Sequence, residues 1–318
     1  MRVKKEDSAA CFRTTIGGQA LIEGIMMRGP KKQAIVVRSP KGLVIKEDEI
    51  KLIKERYPIL GLPLIRGVVA FFSSLICGMK ALMFSAECMP EEEQEAQESK
   101  LDKWINEHFD AERSSKIIMS VSMVIGIALA VALFFVLPYF LTGLLSGSIK
   151  SNLLKNLFDG ILRICIFLFY MWAVTRMKEI HRVFEYHGAE HKSIFCYEKG
   201  LELTVENVRP QPRQHPRCGT SFLFVVMIVS MLVFSVVSWK NRLVGMCIRL
   251  LLLPVVVAIS YEINRWCGRH DNILSAVLAA PGKALQRLTV YEPDDGMIEV
   301  AIEALKLVIP EEKGSDEW

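Results

Sequence analysis

The residues in this chain best suited to chemistry are His187, Glu190 and His191, set in the pattern H-x-x-E-H. On a helix, positions 187 and 191 lie about 40° apart around the axis with 190 beside them, so two imidazoles and a carboxylate share one face. Such a face can hold zinc or another divalent metal through the histidines while Glu190 serves as general base. The plainer alternative is that these side chains cap and hydrogen-bond a helix end. A second polar cluster, His215-Pro216-Arg217-Cys218-Gly219-Thr220-Ser221, precedes a long apolar run. Three histidines and the Cys218 thiolate would close a tetrahedral structural site. Two histidines with one further ligand would leave the open position a hydrolase needs. The other reading of Arg217 to Thr220 is a helix start with a capping hydroxyl. Glu262 is a candidate third ligand from a separate helix, with Asn264 and Arg265 beside it. Otherwise it pairs with an arginine at a membrane surface.

These residues must be positioned by an unusually apolar chain, 318 residues of which 51% are hydrophobic, with a mean hydropathy of +0.29. The apolar residues fall in long blocks, which predicts an α-helical integral membrane protein with about four transmembrane helices, a small cytoplasmic β region and interfacial helices. Ile117 to Leu145 carries no charge and is long enough to cross a hydrocarbon core of roughly 30 Å, with a kink expected at Pro138. Leu153 to Thr175, Gly219 to Ser238 and Leu243 to Tyr261 are the other three candidates. The segment 176–218 holds eight Lys and Arg, whereas the loops after the first and third spans hold Lys150 alone and Lys240 with Arg242. By that asymmetry, both termini and the central segment face the cytoplasm of a multi-pass cell-membrane protein.

The net charge of +4 is too small to indicate nucleic acid, and basic residues near the spans serve as topology signals and membrane-lipid contacts. Eight cysteines without CxxC spacing point to reduced thiols, with Cys77, Cys165 and Cys247 expected to be buried within apolar segments. With no cleavable leader pattern at the N-terminus, targeting is expected to rest on the internal spans.

Residues 1–57 form a cytoplasmic β region after a disordered first ten. Gln33–Arg38 and Leu43–Glu47 read as strands about a Pro and Gly turn, and Gly17–Gly24 could supply a third. The Gly17-Gly18 pair lacks the spacing of a phosphate loop. Segment 58–86 is apolar but striped by Arg66, Ser73 and Lys80, which favours an amphipathic helix in the interface or packed on the bundle, or a re-entrant hairpin, over a full crossing. An acidic linker and lead-in helix occupy 87–116, and the first two spans 117–175. The His-rich cytoplasmic loop, 176–218, continues the second span as a helix to about Glu198, ended by Gly200. Within it Gly188 costs about 1 kcal/mol relative to Ala, which implies a close approach to the backbone there. Because spans two and three are consecutive, His215 and Cys218 are expected within reach of His187 and His191. The last two spans occupy 219–262. Segment 263–318 contains two short interfacial helices broken at Pro281-Gly282, then a helix over 296–308 capped by Asp294-Asp295. Arg163 and Arg249 are expected to snorkel, and no charged pair is expected at mid-membrane.

The stretches Gly17 to Gly29, Tyr186 to Lys192, His215 to Ser221 and Glu292 to Asp295 together resemble the YqhQ-like family of bacterial membrane proteins, over nearly the whole chain. That resemblance implies a domain of unknown function labelled as a predicted metal-dependent enzyme. The order H-x-x-E-H is also that of the inverzincins. The expected function is a metal-dependent, hydrolytic membrane enzyme working at the cytoplasmic face. His187 and His191 would bind the metal, Glu190 would act as base, and His215, Cys218 or Glu262 would complete the shell. The alternative is a non-enzymatic factor whose cytoplasmic layer binds a protein partner in membrane-protein biogenesis or envelope maintenance.

Overall fold

The computed structural model describes residues 12–50, 57–90, 108, 110–145, 151–235, 242–270, 272–312 and 314–317. The expectations for the first ten residues, the acidic run 91–100 and the loops carrying Lys150 and Lys240 lie outside them. Four strands form an antiparallel meander in chain order: β1 (Gly17–Leu21), β2 (Gly24–Arg28), β3 (Lys32–Ser39) and β4 (Gly42–Glu49). The helices are α1 (Ile65–Glu87), α2 (Ala111–Val131), α3 (Leu137–Leu145), α4 (Asn152–Val174), α5 (Lys178–Glu198), α6 (Val205–Val208), α7 (Gly219–Ser235), α8 (Arg242–Leu251), α9 (Leu253–Arg269), α10 (Ile273–Thr289) and α11 (Asp295–Val308).

Side chains alternate across a strand, and here both faces of β2 and β3 are covered while β4 is largely exposed. Ile25, Met27, Ala34 and Val36 pack with Tyr186 and Ala189 of α5 and with Ile298, Ala301 and Leu305 of α11. Met26, Ile35 and Val37 pack instead on Ala81 of α1. This explains why β2 reads as a continuous apolar run rather than as an alternation, and why it was not anticipated as a strand of its own. Asp294 caps α11 by accepting the Met297 N–H at 2.8 Å, as its sequence position predicts.

Ile65–Glu87, Ile117–Leu145 and Leu154–Val174 are each long and apolar enough to cross a membrane. Helices α8 and α9 form a pair bent by 40° that could make a fourth span, and α7 is a shorter apolar helix of 17 residues. The expected fourth span is therefore not one straight helix. Pro254 enters at the start of α9, where its missing N–H and its ring interrupt the ladder from α8. Near Pro138 the chain answers differently: a π turn over Ala132–Val136 widens the helix just before the proline.

Segment 58–86 is the helix expected there rather than the re-entrant alternative: a short 3-10 turn, Pro58–Gly61, leads into the unbroken α1, which is nevertheless long and apolar enough for the full crossing that was not favoured. Other elements depart from expectation for reasons of packing. Helix α5 does not continue α4, because the Thr175 hydroxyl donates to the Trp172 carbonyl and the chain turns at Arg176. The break expected at Pro281-Gly282 is absent. A capping box between Asn272 and Ser275 starts α10, and Gly282 lies directly against Ser221 of α7, so the helix is held through its proline. Cys165 and Cys247 are exposed on their helices rather than buried, and Cys77 is half-buried.

Arg163 and Arg249 turn inward instead of snorkelling. Both donate to Asp159 Oδ2, at 3.0 and 3.1 Å, and Arg249 also reaches Asn156 Oδ1 at 2.6 Å. Their guanidinium groups lie 5.3 and 5.6 Å from the Phe234 ring centroid, and all three charged residues are buried. The bundle thus contains a charged cluster where none was expected, because pairing and aromatic faces compensate lost hydration that no isolated arginine could recover there.

Candidate functional site

Helix α5 carries the central residues, and its Gly188 explains how the layer closes around them. A Cβ there would lie 2.0 Å from the Tyr291 carbonyl oxygen, so only glycine lets the segment after α10 cross the helix. The Tyr291 N–H donates to the Phe184 carbonyl at 3.0 Å and ties the crossing down. Thr289, at the end of α10, and Cys218, just before α7, are thereby brought beside His187. Gly200, at φ +66, lies just past the end of α5.

His187 Nδ1 lies 2.9 Å from the Thr289 carbonyl, and His191 Nδ1 lies 2.6 Å from the Arg213 carbonyl. A carbonyl only accepts, so each Nδ1 carries its hydrogen and each Nε2 is directed inward. His187 Nε2 is 3.1 Å from Cys218 Sγ, and one donor atom from each of His187, His191 and Cys218 lies within 4.8 Å of the others. Glu190 Oε1 accepts the Gly18 N–H at 3.0 Å. Its Oε2 and the Nε2 of His191 are both buried without a hydrogen-bond partner among the described residues. Orphaned buried polar atoms are costly, and both residues line the same cavity.

Burial alone would raise the Cys218 thiol, but the charges and hydrogen bonds of His191 and His187 hold it well below the ordinary thiol range. Burial conversely lowers His187, and there the Cys218 thiolate, with Glu190 and the Thr289 carbonyl, outweighs it and keeps the imidazole at about 9. Glu190 is raised, chiefly by burial and despite the nearby histidines. The cluster therefore offers a thiolate, two imidazoles of fixed orientation and a carboxyl poised to exchange a proton.

Two of the expected ligands lie outside this group. The His215 ring is 5.6 Å from that of His191, but its Nε2 faces Glu198 Oε2 at 3.4 Å, and its backbone exchanges two hydrogen bonds with the Gln286 amide. Glu198 is itself paired with Arg217. Glu262 is bound by Arg66, whose Nε donates to it at 2.7 Å. The stripe that marked 58–86 as amphipathic thus supplies the arginine that occupies Glu262. Asn264 lines a separate small cavity with Ser221 and Gly268.

Sequence reasoning missed Gly18, Arg28, Glu198 and the carbonyls of Thr289 and Arg213. Only Gly18 left a signal, the glycine pair, whose use is close approach rather than phosphate binding: a Cβ on Gly18 would lie 2.7 Å from the Met26 carbonyl and 3.0 Å from the Glu190 carboxyl carbon. A cavity of about 550 Å³ opens over the cluster, lined by Thr14, Arg28, Glu190, His191, Arg217 and Cys218 among others.

A family model described as "Protein of unknown function (DUF1385)" matches residues 62–311. The uncharacterized protein YqhQ of Bacillus subtilis (strain 168) is 32% identical over 297 residues, a match covering 91% of this chain and 90% of that protein. No solved structure matches the chain. Since the relative aligns nearly end to end and the family model spans most of the chain, this protein belongs to the YqhQ-like family of unknown function.

Proposed function

We propose that the chain is a metal-dependent, hydrolytic membrane enzyme with its site at the cytoplasmic face. The observation that carries this reading is the orientation of the two imidazoles. Each Nδ1 is engaged by a backbone carbonyl and each Nε2 is turned toward Cys218, the arrangement by which metal-ligating histidines are held. His187, His191 and Cys218 would hold zinc or another divalent metal and leave a fourth position open. The metal would supply Lewis-acid polarisation of the bond to be broken. Glu190 is the base: Gly18 anchors one carboxylate oxygen, and the other is left to take a proton from the attacking water.

Metal analysis of the purified full-length protein tests this directly. About one equivalent of zinc per chain is expected, lost in the double variant His187→Ala, His191→Ala. Glu190→Gln is expected to keep the metal and the fold while failing to complement a deletion strain. A metal-free wild type, or full complementation by Glu190→Gln, would sink the proposal. A second reading rests on the 3.1 Å approach of His187 Nε2 to Cys218 Sγ, which is nucleophile-to-base distance for a cysteine hydrolase. Function that survives stringent chelation and is lost in Cys218→Ser would favour that reading.

A further inference from the structure

The candidate site is a wall between two cavities of different lining. On one side is the more polar chamber, of about 550 Å³, where Arg28, Glu190, His191 and Arg217 stand among apolar side chains such as Ile16 and Ile194. On the other is a groove of about 330 Å³ walled by Phe167, Met171, Val183, Leu223 and Leu285. Gly18, Gln19, Glu190, Cys218 and Gly219 line both. An enzyme acting on a small soluble substrate needs only the first. The walls of the second come from α4 and α7, two of the apolar helices, and from α5 and α10, so the groove runs from the apolar helices up to the reactive cluster.

We propose that the site takes an anionic amphiphile, with its phosphate-type head in the polar chamber and a single hydrocarbon chain in the apolar groove. This inference rests on the hydrolytic reading of the same cluster and names its substrate class. Charge selects the head. The chamber presents Arg28, whose guanidinium has no ion-pair partner among the described residues; Arg217 also lines it but is held by Glu198, and the Glu190 carboxyl stands at the shared wall. Arginine suits a phosphate because its planar fork can make two parallel bonds. Lining selects the tail. Phe167, Met171, Val183, Leu223 and Leu285 give the groove aliphatic and aromatic walls suited to a hydrocarbon chain, and an apolar helical peptide is the rival occupant that the competition below decides. The junction of head and chain then falls beside Cys218, His187 and Glu190, where the bond to be hydrolysed must lie.

The test uses the full chain in phosphatidylcholine vesicles with lysophosphatidic acid carrying a photoreactive group near the end of its chain. Saturable labelling is expected on the peptides that hold Phe167 to Met171 and Leu223. Unlabelled lysophosphatidic acid should compete at least roughly tenfold better than glycerol 3-phosphate, the head alone, or monoacylglycerol, the chain without the anion. Arg28→Ala should weaken competition about tenfold, and Leu223→Trp should fill the groove and abolish labelling, both with zinc content unchanged. Labelling that does not saturate, or equal competition by the head alone, by the neutral lipid or by an apolar transmembrane peptide, would overturn the inference. The competitor series on the unmodified chain decides this even if a variant fails to fold. Zinc bound without labelling removes the amphiphile and leaves the metal reading standing. Saturable labelling of a chain that holds no metal does the reverse.

Discussion

Glu190 precedes His191 in the chain and the His215 ring lies 5.6 Å from that of His191, and burial acts on Glu190 and His215 alike against the charged form. The carboxyl goes up and the imidazole goes down, His215 to about 4 even though Glu198 faces it. Neutral His215 can donate to Glu198, which Arg217 also holds. A base whose folded pKa lies below its ordinary 6.5 contributes stability that is fully present above pH 6.5 and lost as pH falls to about 4. The loss amounts to roughly 3 kcal/mol at most. Thermal unfolding at pH 7 and pH 4.5 should therefore show a smaller acid penalty in His215→Asn than in the wild type. Equal penalties would show that His215 is not held neutral. Gly18 gives a second test at this scale. Gly18→Ala forces Cβ against the Met26 carbonyl and the Glu190 carboxyl, and should cost about 1–3 kcal/mol and abolish complementation. Its neighbour is the control, since nothing lies within 4 Å of a Cβ on Gly17, and Gly17→Ala should be near silent.

Helix α4 shows how one element serves two ends of the molecule. Its last turns present Phe167 and Met171 to the apolar groove below the candidate site. One turn apart on its opening half, Asp159 and Arg163 meet Arg249 from α8, and the two arginines share a single carboxylate oxygen. Removing that carboxylate leaves two like charges buried side by side. Asp159→Asn should thus destabilise the bundle by about 3–5 kcal/mol, read as a fall in thermal unfolding temperature in detergent. Cys165→Ser, on the exposed face of the same helix, should change nothing measurable. A silent Asp159→Asn would mean that the arginines find other partners and that the cluster is not what joins α4 to α8.

At the scale of the whole molecule, a layer of sheet, α5 and α11 with an ordinary buried core adjoins helices that expose large apolar side chains. Leu129, Phe169 and Leu251 are 65%, 68% and 78% exposed, a surface that water would penalise and hydrocarbon would not. His187 and Cys218 fall within the Lys- and Arg-rich segment 176–218. Reporters fused after residue 200 and at the C-terminus should consequently read cytoplasmic, and one inserted near Ser148 external. A signal from outside the cell at residue 200 would move the site to the opposite face and remove the cytoplasmic enzyme proposal.

Local features were legible in the order of residues. The apolar blocks marked the long helices, because about 20 uncharged residues have few other uses. The H-x-x-E-H spacing put two imidazoles and a carboxylate on one face, Asp294 marked the start of α11, and Gly188 announced a close approach without saying of what. Tertiary structure decided the partners. Cys218 and His215 were both candidates on the same short stretch, yet Glu198 claims the histidine while the thiolate meets His187. Arg66, 196 residues from Glu262, takes that carboxylate away, and Gly18, 172 residues from Glu190, anchors the one that matters. Arg163 and Arg249 turned inward because Asp159 and Phe234 were there to receive them. Helical period and hydropathy act over a few residues and are written in the chain. Which of several competent donors finds a given acceptor depends on packing between distant segments, and that is set only when the whole chain has folded.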